Sequence, residues 1–270
     1  MNNILALALL TFKDGLRQRV LYGAIVFSLL VIFVSILISG MFMRQITKVT
    51  LDFCLSAVNI GGLLVPVFLA VHLLARDIER RTIFSILSRA ISRKEYLLGK
   101  FGGLTLLTGA IMAVLAGATA VALMISKLIY AEYFFAELSW SSILLSICVS
   151  FLGMTVLNAM VILWSTLTTS SFLATLLTVG TYLIGQSVED MVRFISTRTP
   201  GVEISPVVEH TVRAASYLFP NLAAFDLKLL AAHGLVIPGR ELLFLLVYAV
   251  AYTTAALTLA MVSFQRRDLT

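Results

Sequence analysis

Residues able to do chemistry are few in this chain, and their spacing does not suit catalysis. A phosphate-cradling loop needs a glycine, four residues, then Gly-Lys-Ser/Thr, so that backbone amides wrap the phosphate while the lysine reaches it. The only Gly-Lys pair, Gly99-Lys100, has Lys94 at the first glycine position and Phe101 after it. Three histidines, His72, His210 and His233, are scattered over both faces of the topology argued below, which makes no metal or proteolytic constellation. Cys54 and Cys148 fall in or beside apolar segments without metal-ligand spacing, and neither a disulfide nor a redox compartment follows from them. The chain is therefore expected to hold no catalytic residue, metal or cofactor of its own. What does concentrate is charge. Residues 76–100 carry Arg76, Arg80, Arg81, Arg89, Arg93, Lys94 and Lys100, seven of the 20 Lys and Arg residues, against Asp77, Glu79 and Glu95. Within that interval Ile83, Ile86 and Leu87 recur at helical spacing with Phe84 beside them, a short amphipathic helix suited to a membrane face or a partner groove. Thr82 and Ser85 can cap it locally.

The rest of the composition decides what positions this segment. A chain of 270 residues that is 60% hydrophobic and 13% charged cannot bury that much apolar surface in one soluble core. A mean hydropathy of +1.00 agrees: this is an integral membrane protein. The formal charge of +6 does not indicate nucleic acid, because no basic run is interleaved with exposed aromatics; most of the basic residues flank apolar spans, where topology and anionic lipid account for them.

Residues 1–18 set Ile4, Leu7, Ala8, Leu10, Phe12 and Leu16 around Lys13, Asp14 and Arg17, the pattern of an interfacial helix. The apolar run 20–40 is too long for a signal-peptide core and has no small-residue cleavage site after it, so a retained span is predicted over 20–39. A second span, 51–75, holds Pro66, which frees a carbonyl and bends a membrane helix, and His72 near its inner end. Between these two spans lies a short outer connection with Arg44 and Lys48. A third span, 101–126, follows Gly99 and contains Gly103, Gly109, Ala113 and Gly117, small residues at four-residue intervals that let helices approach closely, a second copy of the chain included. An outer turn with Lys127, Glu132 and Glu137 carries an aromatic belt of Tyr130, Tyr133, Phe134, Phe135 and Trp140. No charge occurs over 141–188, twice the length of one crossing, so two spans joined at the hydroxyl-rich 165–171 are required. Asn158, the only amide in the run apart from Gln186 near its end, reads as an interhelical hydrogen bond.

The interval 189–240 is predicted to lie outside as two or three short helices on or dipping into the membrane. Ser205-Pro206 starts one, Asn221 and Gly234 bracket another with Leu222, Phe225, Leu229 and Leu230, and Phe194, Tyr217, Leu218 and Phe219 suit an outer lid. A sixth span, 242–264, returns the chain inside. Twelve basic residues then lie inside and eight outside, five of the eight in the long interval where the positive-inside rule is weak. The expected architecture is an all-α membrane protein in one domain, 1–270, with six transmembrane helices. An interfacial helix (1–18), a cytoplasmic loop (76–100) and an extracytoplasmic helical region (189–240) complete it. The middles of the spans lack Asp, Glu, Lys and Arg, which argues against a carrier coupled to protons or sodium.

Read together, Asp77, Glu79, Thr82, Ile83, Ile86, Leu87, the run Ile91-Ser92-Arg93, then Tyr96, Leu98, Gly99 and Lys100 carry a resemblance. The chain resembles the type 2 class of ABC-transporter permeases, especially the copper-enzyme-maturation (nitrous oxide reductase accessory) branch. Those proteins show E-x-E-x-G-T, an apolar helix, P-[IV]-S-R and G-K between spans two and three. Arg81 stands where that pattern has glycine, and Ala90 where it has proline. The resemblance implies that 77–87 is a coupling helix docking onto a separate ATPase subunit. Within that docking element, which includes Asp77 and Thr82, Glu79, Arg80 and Arg81 would make polar contacts at its rim, while Ile83, Phe84 and Leu87 would fill the groove or the permease's own underside. It further implies two ATPase copies that bind ATP and magnesium, a second permease copy (homodimer), and export across a bacterial inner membrane with both termini cytoplasmic. It leaves room for a periplasmic partner. A secondary transporter or channel, and a membrane scaffold that docks a cytoplasmic partner, are the competing functions. Lipid, lipid-linked product, hydrophobic peptide and metal- or sulfur-related cargo all suit an apolar path.

Overall fold

A computed structural model describes residues 2–17, 20–41, 46–70, 92–130, 135, 138–197, 205–235 and 238–266. In chain order the helices are α1 (Asn2–Arg17), α2 (Val20–Met41), α3 (Ile46–Leu64), α4 (Arg93–Ile129), α5 (Trp140–Leu167), α6 (Ser171–Thr197), α7 (Pro206–Leu218), α8 (Lys228–Ala232) and α9 (Gly239–Arg266). Among the described residues there is no strand, and six helices are long and apolar enough to cross a membrane: α2, α3 with its extension, α4, α5, α6 and α9. The all-α membrane architecture expected from composition is the observed one.

α5 is the centre of the bundle. Every residue from Val156 to Leu163 is buried, which is what a helix apolar on all sides requires. α2, α6 and α9 lie at the periphery and expose rows of large apolar side chains such as Phe33, Leu176 and Val247, the surface that lipid covers. Hydroxyls and one amide fasten the layers where hydrophobic packing between helices gains little in lipid. Ser39 of α2 shares a hydrogen bond of 2.7 Å with Thr50 of α3, and the Asn158 amide of α5 donates to Thr108 of α4 at 3.0 Å, the interhelical bond read from the sequence.

Several local expectations take a definite form. Beyond Leu64, α3 passes into a π-helical turn, Val65–Ala70, with Pro66 second in it: a residue without an N–H lets the hydrogen-bond ladder slip by one place. The turn between α5 and α6 is Thr168–Ser170, within the hydroxyl-rich stretch, and Thr168 caps α5 with its N–H on the Trp164 carbonyl. Lys48 lies inside the first turn of α3 rather than in a connection. Phe135 is buried against Ile46, Leu51 and Ile143 instead of joining an interfacial belt, while Trp140 is half exposed. Arg44, Glu132, Tyr133, Phe134 and Glu137 lie outside the described residues.

The two ends of the bundle follow from the packing. α1, the start of α4 and the last turn of α9 meet at one end, called here the terminal end; Ser39, Ser126, Trp140 and the 205–235 segment lie toward the other, the far end.

Candidate functional site

At the terminal end the chain returns from 71–91 at Ser92, which caps α4. Ser92 Oγ accepts the Glu95 N–H at 3.2 Å, and Glu95 Oε2 accepts the Ser92 N–H at 2.9 Å, so two otherwise unpaired helix-start donors satisfy each other's side chains. With its start fixed, α4 projects three residues. Arg93 Nη1 donates to the carbonyls of Phe264 (2.8 Å) and Gln265 (3.2 Å), groups that the end of α9 leaves without intrahelical donors. Its guanidinium also sits 5.7 Å from the centre of the Phe264 ring. Tyr96, fully buried, stacks on Phe264 at 6.3 Å, and the buried Lys100 ammonium lies 5.7 Å from the Tyr96 ring. Gly99 and Gly103 face α1: a Cβ at Gly99 would meet Leu7 at 2.5 Å, and one at Gly103 the Ala8 carbonyl oxygen at 2.6 Å. Four residues along α1 match four along α4, so the two helices run side by side in the same direction. The small-residue ridge expected to pack helices therefore receives the chain's own N-terminal helix in its first two places; Gly117, further along, faces open space.

Toward the far end the chain folds back into the bundle. Between α7 and α8, a 3₁₀ turn, Ala223–Phe225, carries the chain down until Phe225 abuts Gly153 of α5, thirteen residues and roughly 20 Å along the axis from Trp140. A cavity of about 20 Å³ opens there. Its polar lining comes from four places: Asn59 of α3, Ser150 of α5, Tyr182 and Gln186 of α6, and Asp226 just after the turn. Tyr182 and Gln186 stand one turn apart on α6, and Asp226 is ion-paired with Lys228 at 3.2 Å. Ser150, 7% exposed, and Asn59 make no hydrogen bond with another described residue. The segment is held by backbone bonds to neighbours. Leu222 N–H donates to Gly185 O (3.0 Å), Asn221 N–H to Tyr248 Oη (2.9 Å), and Tyr252 O–H to Leu218 O (2.7 Å).

Against known proteins, residues 5–269 match the family model described as ABC-2 family transporter protein. The chain belongs to the ABC-2 transporter family. A comparison with curated proteins gives no match. This protein is accordingly a multi-pass membrane permease of an ABC transporter, and membership implies an ABC ATPase partner.

The permease's predicted docking residues, Asp77, Glu79, Arg80, Arg81, Thr82, Ile83, Phe84 and Leu87, lie outside the described residues, as does His72. Of the loop expected over 76–100, the described part is Ser92 and the first two turns of α4. Sequence reasoning passed over Ser92 and Glu95 as a cap, although Ser-x-x-Glu before an apolar run is the signature of one. It also missed Phe264 as the partner of Arg93 and Tyr96, a contact across 171 residues with no local signal. The interval 189–240 is more divided than expected: the helix bracketed by Asn221 and Gly234 is broken at Asp226-Leu227 into the 3₁₀ turn and α8. Asn221 Oδ1 caps the turn by accepting the Ala224 N–H, and Gly234 takes the left-handed conformation (φ 63°) that ends α8. Of the expected lid, Phe194, Tyr217 and Leu218 are exposed, and Phe219 is half-buried.

Proposed function

We propose that this permease is the membrane subunit of an exporter, driven from the cytoplasm by two copies of a separate ATPase that grip segment 77–87, and paired with a second copy of itself. The terminal end is then cytoplasmic, in the inner membrane of a bacterium, and the far end periplasmic. Export and kinship with the copper-enzyme-maturation branch rest on the resemblance carried by 77–100. Hydrolysis, with ATP and magnesium, belongs to the partner; no catalytic or nucleotide-binding residue is assigned to this chain.

The observation that carries this reading is the Arg93 clamp. A docking segment at 77–87 leads directly into α4, and Arg93 in its first turn holds the last carbonyls of α9. α9 in turn supplies Tyr248 and Tyr252, which hold the re-entrant segment at Asn221 and Leu218. One rigid helix is therefore gripped at both places where motion must begin and end. A displacement of the docking segment tilts α4, pulls α9 through Arg93, and shifts the tyrosines that seat the far-end segment. This is a rigid-body transition that needs no charge inside any span.

The test is the complex in nanodiscs. The double variant Glu79→Arg with Phe84→Asp is expected to leave the permease's unfolding temperature unchanged while the ATPase subunit no longer co-purifies and ATP-driven transport stops. Transport that survives in an assembled complex contradicts the docking assignment.

A further inference from the structure

The re-entrant segment separates two spaces. Its Leu222, Phe225 and Asp226 line the 20 Å³ chamber, while Asn221, Ala224 and Leu227, alternating with them, line a cleft of about 620 Å³ on the other side, walled by Glu189, Arg240 and Phe244 among others. A chamber of that size holds about one water-sized group. Two of its polar residues, half-buried Asn59 and buried Ser150, make no hydrogen bond to another described residue, which leaves their donors and acceptors available to a guest. Every free group facing the chamber is an amide or a hydroxyl, able both to donate and to accept. Asp226, the one charged residue of the lining, is already neutralised by Lys228. An ion entering would therefore lose its hydration without finding a counter-charge. The cleft is of the size that takes small molecules, and Leu227, Phe244 and Leu245 give it an apolar wall.

We infer that the chamber is a binding subsite for an uncharged hydrogen-bonding group, the hydroxyl or amide head of an amphiphile whose apolar body lies in the cleft, with Asn221–Leu227 as the partition between them. The inference extends the permease reading by giving the cargo a chemical class. Its test needs no ATPase, so the failure of one is distinguishable from the failure of the other.

The full chain, with Cys54→Ala and Cys148→Ala as background, is placed in nanodiscs with Ser150→Cys, and separately with Asn59→Cys, each also combined with Phe225→Ala. Labelling rates are measured with methanethiosulfonates bearing hydroxyethyl (neutral), sulfonatoethyl (anionic) and trimethylammonioethyl (cationic) groups. The neutral reagent is expected to react about tenfold faster than either charged one, and faster again with Phe225→Ala, which lowers the partition. A 1-monoacylglycerol, whose head carries only hydroxyls, should slow that reaction about tenfold, while lysophosphatidylcholine and lysophosphatidylglycerol of the same chain length should not. Equal rates for all three reagents would make the chamber an open aqueous path, and equal protection by the three lipids would make the cleft a general lipid groove. No labelling of either cysteine even with Phe225→Ala would make it a sealed packing void. Any of these results overturns the inference.

Discussion

The two ends of the permease are built from different interactions. At the terminal end a guanidinium holds two carbonyls, two aromatic rings stack beneath it, and glycines bring α1 against α4 with no room for a methyl group. At the far end the re-entrant segment is held by tyrosine hydroxyls, one backbone carbonyl and a single bond from the Asn221 amide to the Glu189 carboxylate (2.9 Å), beside a chamber with unpartnered polar groups. Close-packed contacts transmit displacement where voids absorb it. In the proposed mechanism the stiff end would receive force and the compliant end would move.

Substitutions can break that contrast from either side. The largest effect is expected from Phe225→Ala, which removes the ring seated on Gly153 and should cost about 3 kcal/mol in reversible unfolding; far-end accessibility should rise while ATPase binding is untouched. Gly103→Leu, forcing a side chain against Thr11 and the Ala8 carbonyl, should cost about 2 kcal/mol and detach α1, read as faster trypsin cleavage after Lys13 and Arg17 with far-end accessibility unchanged. Ser92→Ala removes the cap and should cost about 1 kcal/mol, seen as faster hydrogen exchange over 93–96. Asn158→Leu, which loses one bond to Thr108 midway between the ends, should cost about 0.6 kcal/mol and alter neither.

How much of this was legible in the sequence depends on the range of the interaction. Spans announce themselves by composition alone, and the turn after Leu167, the Ser205-Pro206 start and Gly234 are written in residues next to one another. Arg93 reads in sequence as one more basic residue of a charged loop, because its partner carbonyls belong to Phe264 and Gln265. The chamber was hidden for a second reason. The middles of the spans hold no charge, with Asp52 of α3 and Lys100 of α4 nearer the helix ends, yet Asp226 reaches the chamber on a segment that does not span the bundle. Single polar residues on separate helices, such as Asn59, Ser150 and Gln186, each pass for ordinary interhelical contacts until the fold places them around one space.

The account depends on α9 carrying motion from the clamped end to the hinged one. In the complete complex with its ATPase, labelling of Ser150→Cys by the neutral methanethiosulfonate should accelerate when ATP is added. Arg93→Ala should abolish that acceleration while the ATPase remains bound and the rate without ATP stays as it was. If Arg93→Ala retains the full ATP-dependent acceleration, the two ends are not joined through α9.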